Sequence, residues 1–241
     1  MTLPYKNYIF DLYGTLADIR TDERRRELWV KTALYYTEHG APYEAAELRR
    51  EYLRLCRAEQ GRHRDALYEI ELRKVFRALY EAKGVTPDRR RVEETAVFFR
   101  LVSLRKLRRY PWVAPVFSAL RERGARLFLL SNAQSCFTVP ELRALGLLDA
   151  FDGIVISSDA HIKKPSPKIM RKLLTRYDLA VGESLMIGNE QGCDVAVAHA
   201  AGMDALYLQT ETSGVYDPAL KAEYELLDGD FSRLPSLLGI H

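Results

Sequence analysis

The chain has 241 residues, 47% of them hydrophobic and 29% charged, with 36 Lys and Arg against 33 Asp and Glu and a net charge of +3. That is the composition of a folded globular protein long enough for a sizeable core, and it excludes compositional disorder or a small disulfide-stapled scaffold. No apolar run approaches the roughly 18 residues of a membrane span, and residues 1–7 lack a signal-peptide layout, so the expectation is a cytoplasmic protein with no membrane contact.

The first apolar run, Tyr8–Asp11, predicts a strand that ends on an acid and meets a turn, Tyr13-Gly14-Thr15. From position 20 to 109 the pattern is helical. Glu23–His39 predicts one helix. Apolar residues then recur at spacings of three and four in Ala45/Leu48/Tyr52/Leu55, Tyr68/Leu72/Val75/Leu79 and Val92/Ala96/Phe99/Val102. Gly40 and Pro42 separate the first two helices and Gly84 stops the third. Thr86-Pro87 predicts the N-cap and first-turn proline of the fourth. These make a four-helix bundle. Residues 17–109 hold 23 Lys and Arg against 16 Asp and Glu, a local excess of seven positive charges. An excess of that sign attracts anions. Most of the arginines alternate with glutamates, as in "ELRREYLRLCRAEQGR", which predicts solvated helix faces. No basic stripe interleaved with aromatics is present, so nucleic acid is not an expected partner.

Beyond Tyr110-Pro111 strands alternate with helices. Arg126–Ser131, Gly153–Ser157, Ser184–Gly188 and Ala205–Gln209 predict strands, and Val113–Arg123 and Pro167–Tyr177 predict crossover helices. The expected fold class is α/β: a Rossmann-like parallel sheet with helices on both faces and an inserted helical bundle. The expected division is a discontinuous core, 1–16 with 110–241, and an insertion, 17–109. The three cysteines, Cys56, Cys136 and Cys193, are far apart and lack disulfide or metal-ligand spacing, which predicts free thiols.

Ligands of an open parallel sheet bind beyond the carboxyl ends of its strands. Asp11, Tyr13, Gly14 and Thr15 follow the first strand, Ser131 and Asn132 end the second, and "KKPSP" with Lys163 and Lys164 lies beyond the third. Asn189, Glu190 and Asp194 follow the fourth. Polar residues are common at strand ends, but here a nucleophilic acid, a hydroxyl, an ammonium and an acidic cluster fall in order on one edge. In that set and order the sequence resembles the haloacid dehalogenase-like (HAD) hydrolases, with a helical cap inserted after the first motif. The resemblance implies Asp11 as nucleophile, Ser131 as the orienting hydroxyl and Lys164, directly before Pro165, as the conventional lysine. It further implies Gly14, Thr15 and Asn132 at the substrate, and Mg²⁺ among Asp11, Tyr13, Asn189, Glu190 and Asp194. A carboxylate can attack phosphorus or carbon to form a covalent intermediate that water opens. Thr15 either binds the substrate or caps a helix after the turn.

Two positions depart from the family's phosphatases. Tyr13 stands where a second aspartate protonates the leaving oxygen, and a phenol titrating near 10 is a poor substitute. Asn189 stands in the usual aspartate position, and an amide binds Mg²⁺ more weakly. The family's dehalogenases do carry a tyrosine at the first position. Against a dehalogenase, Gly40 occupies the place of its cap arginine and Ala133 follows Ser131-Asn132 where a glycine is usual. The sequence therefore implies first a Mg²⁺-dependent phosphatase of a small anionic metabolite, slow for want of the acid. The alternatives are a metal-free haloacid dehalogenase and a non-catalytic binding protein on the same scaffold. His161 is a possible site neighbour; His199 and the cysteines read as packing or surface residues.

Overall fold

A computed structural model describes residues 5–239; the outermost residues of the expected core, 1–4 and 240–241, lie outside the described residues. In chain order the elements begin with β1 (Asn7–Phe10), β2 (Ala17–Thr21), α1 (Arg26–Glu38), α2 (Ala45–Gly61), α3 (Leu72–Glu81), α4 (Arg89–Ser103) and β3 (Leu104–Arg109). Then come α5 (Val113–Glu122), β4 (Arg126–Ser131), α6 (Ser135–Ala144), β5 (Gly153–Ile156), α7 (Ser157–Ala160) and α8 (Pro167–Tyr177). The chain continues through β6 (Ser184–Gly188), α9 (Ala196–His199), β7 (Asp204–Leu208), β8 (Tyr224–Leu226) and α10 (Leu234–Leu237).

Six strands form one sheet in the order β5-β4-β1-β6-β7-β8, every pair parallel. Covered on both faces, the strands are apolar nearly throughout, as a buried parallel sheet requires. Tyr8 and Phe10 face α5, α6 and α10, whereas Ile9 faces α8 and α9 with Phe128, Leu130 and Met186. The expected α/β class is the observed one. The chain runs from β1 outward through β4 and β5, then returns to β6 on the other side of β1. That reversal opens a crevice beyond the carboxyl end of β1. Phe10 pairs with Leu129 and Ile187, so Asp11 emerges level with Leu130 and Gly188.

Helices α1 to α4 pack in succession, with α1 also against α4, around an aromatic cluster. Phe99 is its centre. Its ring lies 5.6 Å from Trp29, 5.4 Å from Tyr52, 5.5 Å from Phe76 and 6.3 Å from Phe137 of α6. The cluster therefore continues from the inserted helices onto the sheet's own layer.

Three expectations require correction. The fourth helix is capped by Asp88, whose carboxylate accepts from Arg91 N at 2.7 Å, not by Thr86; a carboxylate suits the positive helix end. The third helix starts at Leu72, so Tyr68 lies on the preceding loop, where the peptide carbonyl of Leu67 accepts from Lys163 N. Finally, the helical pattern expected from 20 to 109 does not hold at its two ends. Ala17–Thr21 and Leu104–Arg109 pair as an antiparallel ribbon, with Asp18 bonded to Lys106 and Arg108. The sequence "LRKLRR" has no alternation of its own; pairing with β2 makes it a strand.

Replacing Phe99 by alanine removes the ring shared by the inserted helices and α6. The expected loss is about 3–5 kcal/mol of unfolding free energy, read from urea denaturation. A loss under about 1 kcal/mol would show that the packing does not rest on it.

Candidate active site

The parallel register places the ends of β1, β4 and β6 side by side, and Lys164 reaches into them from the loop between α7 and α8. Its ammonium has three N–H groups and three acceptors: Asp11 Oδ1 at 2.7 Å, Asp194 Oδ1 at 2.6 Å and the Leu130 carbonyl at 2.9 Å. All three side chains are buried. Burial pulls the Lys164 pKa down, but the two carboxylates outweigh it and hold the ammonium above the ordinary lysine value. For Asp194 burial dominates and raises the pKa, with Lys164 opposing and Asp11 reinforcing the shift.

The lysine is held from outside the cluster. Asn132 donates from Nδ2 to the Lys164 carbonyl at 3.0 Å and accepts from Lys164 N at 2.8 Å. Asn132, expected at the substrate, has its amide on the lysine's backbone. Asp194 sits in a single π-turn, Gln191–Val195, and its Oδ2 accepts from Glu190 N at 3.0 Å. A side chain at Gly188 would collide with the Asp194 carboxylate, which explains the glycine ending β6.

Thr15 donates to Asn189 Oδ1 at 3.0 Å and stands 3.4 Å from Asp11 Oδ2. No helix follows it, because β2 begins at Ala17, so the helix-cap alternative is excluded. Gly14 has φ +85°, and a Cβ there would strike the amide of Asn189 and the hydroxyl of Thr212. Asn189 Nδ2 in turn points to Thr210 Oγ1 at 3.3 Å and Thr212 Oγ1 at 3.1 Å. Ser131 Oγ is buried and has no hydrogen-bond partner among the described residues. A buried hydroxyl without a partner marks a place that a ligand or water fills.

The structure therefore brings Asp11, Thr15, Ser131, Lys164, Asn189 and Asp194 to one edge, and leaves two of the expected residues outside. Glu190 is exposed and contributes its backbone amide to Asp194. Tyr13 turns its hydroxyl toward α6, donating to Glu141 and lying 3.1 Å from Thr138 Oγ1. Burial, reinforced by Glu141, holds that phenol well above its usual pKa. Glu141 also accepts from Arg100 Nε of α4 at 2.6 Å, and the guanidinium lies over the Tyr13 ring. Sequence reasoning missed this Tyr13–Glu141–Arg100 chain, since nothing in "PELRAL" distinguishes Glu141 from a surface acid. Thr210 and Thr212 were findable, because they follow β7 by the same strand-end rule.

The donor set bears on a cation. Among the described residues no group of three or more His, Cys, Asp or Glu lies together to hold a metal. Both Asp194 oxygens are engaged, while Asp11 Oδ2 and Asn189 Oδ1 converge on the Thr15 hydroxyl. One carboxylate and one amide oxygen, with substrate oxygens and waters, suit Mg²⁺, which rarely occupies an all-protein cage. His161 stacks near Tyr68 at 5.8 Å, outside the cluster. The Cys193 thiol is pushed up to about 12 by burial, as is that of Cys136, and Cys56 to about 11. All three cysteines are free.

A family model described as haloacid dehalogenase-like hydrolase matches residues 5–202. The phosphoserine phosphatase of Thermus thermophilus is 33% identical over 135 residues, 56% of this chain and 53% of its own. This chain thus spans about half the length of that relative. The glyceraldehyde 3-phosphate phosphatase of Pyrococcus abyssi is 25% identical over 205 residues, 85% of this chain and 81% of its own. The crystal structure of a 2-haloacid dehalogenase from Pseudomonas syringae superposes with a TM-score of 0.66 over 98% of both chains at 22% identity, a likeness of fold alone.

Lys164→Met leaves two buried carboxylates without their cation. The expected cost is about 3–5 kcal/mol near neutral pH. The folded-state pKa of Asp194, already raised by burial, then rises further above the unfolded one, so stability is lost as pH rises and partly recovered as pH falls. Melting temperatures at about pH 5 and 8 check this. A deficit of equal size at both would contradict the paired-carboxylate account.

Proposed function

The chain belongs to the haloacid dehalogenase-like hydrolases, and from that membership we propose that it is a phosphatase of a small phosphorylated metabolite, with Asp11 as nucleophile. The observation that carries this is the edge cluster: an Asp11 oxygen, Oδ2, met only by the Thr15 hydroxyl at 3.4 Å among the described residues, with a fixed ammonium on the other oxygen and the unpartnered Ser131 hydroxyl on the same edge. The relatives named above as phosphatases support the same substrate class.

In this mechanism Asp11 Oδ2 attacks phosphorus, forming a P–O bond as the ester P–O bond breaks and the substrate oxygen leaves with the electron pair. Water then attacks the same phosphorus and releases phosphate and the Asp11 carboxylate. Lys164 donates to the other Asp11 oxygen, Oδ1, and fixes it, so the attacking oxygen needs little reorganisation. Ser131 donates to a phosphoryl oxygen. Asp11 and Asn189 would hold Mg²⁺, which when bound supplies positive charge against the phosphoryl oxygens. Helices α1 to α4 act as a cap over the crevice, the β2–β3 ribbon being the hinge.

The proton on the leaving oxygen is the weak point. The Tyr13 hydroxyl is committed to Glu141, so no side chain of the cluster replaces the acid that other family phosphatases carry there. The leaving oxygen is protonated by water. Loss of a general acid costs about 10²–10⁴ in rate. A dehalogenase is the second reading, favoured by Tyr13, since a halide leaves without a proton. Arg100 is a cation from the inserted helices near Tyr13, but its guanidinium is paired with Glu141.

Two outcomes are expected. Asp11→Asn abolishes hydrolysis of aryl phosphates with the fold unchanged, whereas full activity would remove the covalent mechanism; turnover of a 2-haloacid without metal by the wild type would replace the phosphatase reading. Tyr13→Phe, by contrast, keeps kcat within about threefold of wild type while activity across a series of aryl phosphates rises steeply as the leaving phenol becomes more acidic. A drop of about 10² or more in Tyr13→Phe, with a flat leaving-group dependence, would make Tyr13 the acid.

A further inference from the structure

Part of the positive excess of residues 17–109 gathers in one exposed groove. Where α1 and α2 begin, Arg24, Arg26, Arg49 and Arg50 line one groove of about 570 Å³ with Trp29 and Glu44. All four arginines are exposed, and among the described residues none has a carboxylate within 4 Å of its guanidinium. Elsewhere in the same segment Arg25, Arg54, Arg62, Arg73, Arg90 and Arg100 each have one, and Arg77 and Arg89, which have none, share their groove with Glu71, Glu93 and Asp159. Glu44 is the one acid lining the groove, and its side chain is held by the first turn of α2 in a capping box with Glu47. The groove therefore carries four guanidinium groups against one carboxylate, a net positive charge. Arginines 24–26 also open α1, where no side chain caps the helix and the one first-turn acid, Glu27, is paired with Arg25. Cations at a positive helix end repel it, and an anion would offset both.

We propose that this groove binds a small, multiply charged anion bearing phosphoryl groups, at a site separate from Asp11. The volume lies within the roughly 300–1,000 Å³ of small-ligand pockets. Planar guanidinium forks pair bidentately with phosphate oxygens. Trp29 forms the apolar wall, buried against Tyr52 and Phe99. The groove shares no residue with the edge cluster, so the proposal stands whether or not the phosphatase role does.

Calorimetric titration of inorganic pyrophosphate into the full chain carrying Asp11→Asn, without added metal, tests it. The expected result is saturable binding that weakens with salt and weakens by at least about tenfold in Arg26→Gln/Arg49→Gln, the loss expected when charge-assisted hydrogen bonds are removed. Both side chains are exposed, so melting temperatures of the two proteins should agree. No saturable binding at millimolar pyrophosphate, or unchanged affinity in the arginine variant, would overturn the proposal. A single-stranded oligonucleotide that binds more tightly than pyrophosphate through the same arginines would also overturn it, in favour of a nucleic-acid surface.

Discussion

A lysine ammonium and two carboxylates share a buried volume at the carboxyl edge of the sheet, and none of the three charges is tolerable there without the others. Desolvation of an isolated ion costs several kcal/mol even after relaxation. Lys164 meets that cost by matching each N–H to an acceptor: Asp11, Asp194 and the Leu130 carbonyl. Much of the surrounding structure follows from holding this tripod. Asn132 grips the lysine's backbone, the π-turn lifts Asp194 to it, and Gly188 makes room for that carboxylate. Thr15 fixes the far side against Asn189. The net charge left on the three groups is negative, so a phosphoryl group cannot approach on that charge alone. A cation or the donors of Ser131 and the backbone must accompany it.

The meeting of Asp11, Ser131, Lys164 and Asp194 was legible because parallel strands end in register. Residues one or two positions beyond β1, β4 and β6 must then be neighbours, whatever their identity. The short apolar runs fell within a residue or so of the observed strands for the same reason: buried on both faces, they carry no other signal. What the sequence hid was direction. Tyr13 has one backbone position and two possible destinations, and the choice depends on Glu141, more than a hundred residues away. Nothing in the sequence around Glu141 marks it out, yet it is buried and accepts from Arg100 of α4. The β2–β3 ribbon was hidden too, since "LRKLRR" becomes a strand through its partner rather than through a pattern.

That buried pair offers a physical account of the tyrosine at position 13. A carboxylate there would stand near Glu141 and two residues from Asp11, adding a third negative charge to a dry region. A phenol donates to Glu141 instead and lies under the Arg100 guanidinium. The same contact joins the loop after β1 to α6 and, through Arg100, to the inserted helices. Position 13 thus serves cohesion between the layers, and in the proposed phosphatase reaction it leaves the departing oxygen without an acid.

In the proposed reaction Asp11 accepts a phosphoryl group from substrate. Rapid acid quench of the 241-residue chain with an aryl phosphate and Mg²⁺, followed by proteolysis and mass spectrometry, reads this directly. The expected result is the mass of one phosphoryl group on the peptide holding Asp11, absent from Asp11→Asn. Steady turnover with no phosphoryl group on that peptide at any quench time, or with the group on another residue, would contradict it.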